Sequence, residues 1–110
     1  MEIVRGAVVV IAAKGAYTAK PRRAVVVQAD PFNDTHASIT LCPITTDCVD
    51  APLFRITLAP AVQNGLSAVS QVMVDKVVSV PRQSVAREIG RCDPTLLEQI
   101  DDGLRLWLGL

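Results

Sequence analysis

The chain has no excess of either charge: Lys plus Arg and Asp plus Glu number 11 each. Any role on nucleic acid must therefore rest on a local patch, not on an overall basic balance. Long apolar runs are missing too. AVVVIAA and AVVV are far shorter than the roughly 18 to 20 residues of a membrane span. The opening MEIVRG has an acidic second residue and no A-x-A-like cleavage site, so a secretory signal is not expected. Histidine occurs once, as His36, and cysteine three times, as Cys42, Cys48 and Cys92, without CxxC spacing. That set excludes a plausible zinc site and a disulfide framework. It reads as reduced core or near-surface thiols in a cytoplasmic protein.

Apolar residues are plentiful, at 50% against 20% charged, which argues against disorder. The 110 residues suit one domain spanning 1–110, and no repeat or linker divides them. Residues Gly6 to Ala13 form a β-branched run ended by Lys14-Gly15, a first strand. Arg23 to Ala29 reads as a second, nearly all apolar and so buried on both faces. Pro31-Phe32-Asn33-Asp34 is dense in turn formers. SITLCPI, from Ser38, predicts a third strand whose pairing stops or bulges at Pro43, since proline donates no ladder hydrogen bond.

LFRITL, from Leu53, alternates as a half-exposed strand, and Asn64-Gly65 signals a turn. SQVMVDKVVSV, from Ser70 to Val80, reads as one long β-rich segment stopped by Pro81. Ala86 to Cys92 suits either a short strand or a turn of helix. Asp93 as cap, Pro94 in the first turn, and Leu97, Ile100, Leu104, Trp107 and Leu108 at helical spacing predict a closing amphipathic helix. Gly103 lies inside it, a cost on the order of 1 kcal/mol that close packing would offset. The sum is mainly β with a C-terminal helix, a small and strongly bent antiparallel sheet or barrel.

Chemistry concentrates in KPRRAVVVQAD, from Lys20. Lys14, Lys20, Arg22 and Arg23 share a ten-residue window that contains no acid, with Tyr17 as its lone aromatic. The window is either a solvated loop that protects a sheet edge or a phosphate-binding loop with a stacking surface. Thr45 and Thr46, after Pro43-Ile44, either satisfy turn backbone or donate to a phosphate oxygen. Asp75, beside Lys76, is a candidate base or one half of an ion pair.

Arg5-Gly6 before the first strand, KPR-x-AVVVQ-x-D, SITLCPIT, NGL-x-x-x-SQVMVDK and the late R-x-x-IG-R follow in one order over nearly the whole chain. This pattern resembles the MazF/PemK family of toxin endoribonucleases. The resemblance implies an SH3-like barrel and a homodimer that cleaves single-stranded RNA without metal or cofactor, inhibited by a cognate antitoxin. It implies that Arg22 and Thr45 carry catalysis. RNA contacts would come from Lys14, Tyr17, Lys20, Arg23 and Thr46, with Ser70 and Asp75 in the matching groove segment. Three positions depart from the pattern: Arg23 stands where proline is usual, Tyr17 where many members carry an acid, and Gln71-Val72-Met73 where some are basic. Two other readings stay open: a CcdB-like, non-enzymatic gyrase poison, suggested by the LRLWLGL ending, and a small barrel that only binds RNA or peptide.

Overall fold

The computed structural model describes residues 2–12 and 21–110. Among them are β1 (Ala7–Ile11), β2 (Arg22–Val26), β3 (Ser38–Thr45), β4 (Arg55–Leu58), β5 (Ser70–Met73), β6 (Val78–Pro81) and β7 (Val85–Arg91). A one-turn helix α1 (Asp30–Asn33) takes the place of the expected turn, and α2 (Pro94–Leu108) closes the chain. The strands run antiparallel in the order β4-β5-β3-β2-β1-β7, with β6 paired to the start of β3. No ladder joins β4 to β7 among the described residues, so the sheet is barrel-like but open.

The valine-rich strands bury both faces, as their lack of alternation predicts. Val8, Val25, Cys42, Ile44, Val72 and Val74 pack on one side around Ile100 of α2. Ala7, Val9, Ala24, Val26, Ile39 and Leu41 pack on the other with Ile3 and Val85. Cys42 is buried in the first of these cores, where desolvation pushes its thiol up to about 12. Burial likewise raises half-buried Cys92 to about 11, while Cys48 is exposed, and all three are free thiols.

Pro43 ends one ladder. The β2–β3 pairing stops at Ala24↔Pro43, and the next residues of β3 pair with β5, Ile44↔Val72 and Thr45↔Gln71. β3 nevertheless continues through the proline to Thr45.

The long strand expected from Ser70 to Val80 is broken. Val74–Lys76 form a 3-10 turn between β5 and β6. Val74 is fully buried, donates its N–H to the Phe54 carbonyl at 2.9 Å, and lies under Gly103 of α2. A Cβ on Gly103 would sit 3.2 Å from the Leu53 oxygen, so that glycine does permit close packing. Residues read as strand or helix near Ala86 form β7, which pairs with β1 through two register shifts. Pro81 belongs to β6, opposite Ser38.

Helix α2 starts as its sequence predicts: the Asp93 carboxylate accepts from the Leu96 N–H at 2.8 Å. Arg5 ties it to the N-terminal segment, pairing with Asp101 and donating to the Val27 carbonyl. The expected apolar face is covered only in its first half. Ile100 is buried, whereas Trp107 stays 47% exposed and meets the Phe54 ring edge-on, centroids 5.2 Å apart.

Candidate functional site

The site forms where β2 and β3 part. Their paired residues count down together, Val26↔Leu41, Val25↔Cys42, Ala24↔Pro43. The ladder ends there, with Arg22 and Arg23 preceding Ala24 on β2 and Ile44 and Thr45 following Pro43 on β3. Beyond the last pair the strand ends border a cleft of about 150 Å³. Pro21, Arg22 and Arg23 line one side, Ile44, Thr45 and Thr46 the other, and Ser70 comes from β5. Larger hollows exist, including an apolar groove of about 290 Å³ beside Leu53, Gly103 and Leu106. That groove lacks a cation, so its size does not make it a phosphate site.

All 11 carboxylate side chains belong to described residues. Among those residues, the ion pairs are Arg5–Asp101, Arg55–Asp75, Arg91–Glu88 and Arg105–Asp102. None involves Arg22 or Arg23, which are exposed on the rim of the cleft. Two positive charges without a carboxylate make a local anion site on a neutral protein.

The hydroxyls divide by their hydrogen bonds. Thr45 Oγ1 accepts from the Asp47 N–H at 3.0 Å. The oxygen is thereby held while its own proton remains available for a ligand, so satisfying the turn and donating to a phosphate are compatible. Thr46 is exposed. Ser70 is buried and donates Oγ to the Ala68 carbonyl at 2.9 Å, which leaves only its lone pairs for the cleft. Lys14, Tyr17 and Lys20 lie outside the described residues.

Two titratable side chains are placed elsewhere. His36 is exposed before the far end of β3, seven strand steps and on the order of 20 Å from Thr45. Asp75 is absent from the cleft lining and engaged by Arg55, Nε to Oδ1 at 2.9 Å and Nη2 to Oδ2 at 3.3 Å. Its ion pair is therefore with Arg55 from β4, not with its sequence neighbour Lys76. The hydrogen bonds from Arg55 hold the Asp75 carboxyl below its usual range, which makes it a poorer proton acceptor.

A depressed folded-state pKa contributes stability above the unfolded value, near 3.9, that is lost as pH falls through the folded value. Asp75→Asn should therefore lower the urea midpoint at pH 6 by an amount that shrinks below about pH 4. Because an amide cannot act as a general base, a rate for Asp75→Asn within about threefold of wild type would place Asp75 outside any chemistry of the cleft. A loss of 100-fold or more would return Asp75 to the reaction.

A bent antiparallel sheet with one covering helix, carrying at a strand-end cleft two guanidinium groups without a carboxylate partner among the described residues, defines a small barrel-like protein with a positively charged cleft. The family model described as "PemK-like, MazF-like toxin of type II toxin-antitoxin system" matches residues 4–108. Over 106 residues the chain is 45% identical to "Probable endoribonuclease MazF" of Mycolicibacterium smegmatis, covering 96% of each sequence. It is 30% identical over 103 residues to "Endoribonuclease MazF9" of Mycobacterium tuberculosis, covering 89% of this chain and 86% of that one. A crystal structure of MazE-MazF from Deinococcus radiodurans superposes with a TM-score of 0.81 at 25% identity, over 100% of this chain and 99% of that one. The chain belongs to the PemK/MazF family of type II toxins.

Proposed function

We propose that the cleft is the active site of a sequence-specific endoribonuclease that cuts single-stranded mRNA without a metal. The observation that carries this reading is the convergence of Arg22 and Arg23, both without carboxylate partners, on the free donor of Thr45. The donor set of the cleft is guanidinium and hydroxyl, not the carboxylate, imidazole or thiolate that hold catalytic metals.

Cleavage by the neighbouring 2′-OH needs no enzymic nucleophile. The 2′-oxygen attacks phosphorus, the 2′-proton is lost, and the 5′-oxygen leaves with a proton. The charge that develops on the non-bridging oxygens falls to Arg22, whose planar fork can donate two hydrogen bonds. Thr45 donates to one of those oxygens and fixes its direction, and Arg23 holds a flanking phosphate.

The protein's partners in this reading are single-stranded RNA and a cognate antitoxin, whose acidic segment would occupy the same cations. Solved relatives include MazE-MazF complexes, which supports that reading. A twofold dimer acting in the cytoplasm would set two copies of the cleft near one groove.

A defined single-stranded RNA incubated with the protein should be cut equally well with and without EDTA, leaving a 2′,3′-cyclic or 3′-phosphate and a 5′-hydroxyl. Activity that vanishes with EDTA and returns with magnesium would overturn the mechanism. Arg23→Ala should weaken RNA binding chiefly, with the slope of log K against log salt reduced by roughly 0.7, the value per contact for single strands.

A further inference from the structure

A row of polar side chains crosses the sheet beside the cleft. Register sets Thr45 of β3 next to Gln71 of β5, and Gln71 next to Thr57 of β4. Gln71 is only 6% exposed, and a buried amide is costly unless its hydrogen bonds are made. They are made almost entirely to one residue. Gln71 Oε1 accepts from the Val49 N–H at 3.0 Å, and Nε2 donates to the Val49 carbonyl at 2.9 Å. Nε2 also reaches Thr57 Oγ1 at 3.3 Å. The side chain thus treats Val49 as a neighbouring strand would.

Residues 46–50 have little else to hold them. They lie outside every strand and are exposed throughout. Their other tie to the sheet is the Asp47 N–H on Thr45 Oγ1, the bond that fixes the hydroxyl in the cleft. Two anchors therefore bracket this segment, one on Asp47 and one on Val49, two residues apart.

We infer that Gln71 is a positioning residue, which by clamping Val49 holds the Thr45 hydroxyl, and Thr46 beside it, in place against Arg22. The inference rests on the cleft being the active site, and it adds a residue that never touches RNA. Position 71 needs a group that donates and accepts at once, so methionine fills the volume but satisfies neither Val49 group. A glutamate accepts from the N–H but faces the carbonyl with lone pairs until it is protonated, when it regains both bonds.

Kinetics on folded variants test this. Gln71→Met should lower kcat by about 10- to 100-fold, the scale of misplacing a reacting group by an ångström, with KM within about twofold because Arg22 and Arg23 still bind RNA. In a Thr45→Val background the same change should cost less than about threefold, because its effect passes through Thr45. Gln71→Glu should be impaired at neutral pH and approach the wild-type kcat at the same pH as the pH is lowered, whereas Gln71→Met keeps a constant deficit. Full additivity with Thr45→Val, or no acid recovery in Gln71→Glu, would overturn the inference.

Amide exchange gives a reading independent of cleavage. In Gln71→Met, the Val49 and Asp47 amides should both exchange about tenfold faster or more, with Val72 unchanged as the sign of an intact sheet. If Val49 opens while Asp47 stays protected, the clamp does not reach Thr45 and the inference falls. Should the wild type not cut RNA at all, the proposed function fails and this exchange result alone decides the clamp.

Discussion

Arg22→Ala is expected to reduce kcat/KM for RNA cleavage by on the order of 100- to 1,000-fold, about 3 kcal/mol of transition-state stabilisation or more. The size follows from the setting. Arg22 lines the same cleft as Thr45 and has no carboxylate among the described residues to share its charge with. Its donors are therefore free to meet the phosphorane of the proposed reaction, where negative charge would be greatest. Arg22→Lys should recover little, since a point charge does not reproduce a planar fork. Thr45→Val should cost less than Arg22→Ala but clearly more than Thr46→Val, because only the Thr45 oxygen is held by an Asp47 amide. Single-turnover rates on one defined RNA would measure all four. A folded Arg22→Ala protein that cuts at the wild-type rate would remove the cleft from the reaction.

The largest effect on folding is expected at Gly90. The Asn64-Gly65 turn lies directly on β7, backbone against backbone, with the Arg91 N–H donating to the Gln63 carbonyl at 2.8 Å. A Cβ on Gly90 would overlap the Asn64 carbonyl group and come within 2.6 Å of the Gln63 oxygen. These are main-chain atoms that cannot rotate away. Gly90→Ala should therefore cost on the order of 3 kcal/mol or more, a large share of the roughly 5 to 15 kcal/mol that holds such a domain together. Gly65→Ala adds a second strain, since residue 65 has φ +72° and its Cβ would overlap the Ile89 carbonyl. Urea unfolding followed by circular dichroism measures both. A loss under about 1 kcal/mol at Gly90 would mean that the turn can lift off the strand at little cost.

Much of this arrangement was legible in local pattern. The valine runs announced strands buried on both faces, and they line two separate cores. Asp93 and Pro94 announced the start of α2, where the carboxylate caps Leu96. Arg22 and Thr45 were named through resemblance to a family, and the fold brings both to one cleft. Misreadings cluster where a partner lies far along the chain. SQVMVDKVVSV has strand composition throughout, yet it breaks at Val74 because α2 and Phe54 close over that residue. Asp75 reads as a partner for adjacent Lys76, but β4 presents Arg55 to it across twenty positions. Gln71 looked like a mere departure from a basic pattern, because its role depends on Val49 folding back over β5.

By itself, then, the sequence determined which segments extend, where the last helix begins, that no excess charge could bind nucleic acid globally, and that a run of cations without acids leads into the second strand. Those properties are local: β-branching restricts χ1, a carboxylate caps the nearest amides, and a window without acids stays positive wherever it is placed. Only the tertiary structure decided which cation meets which hydroxyl, which carboxylate is neutralised, and what holds the segment beyond Thr45. These depend on strand register and on the β2–β3 ladder ending at Pro43, and a shift of one residue would turn each of those side chains to the opposite face.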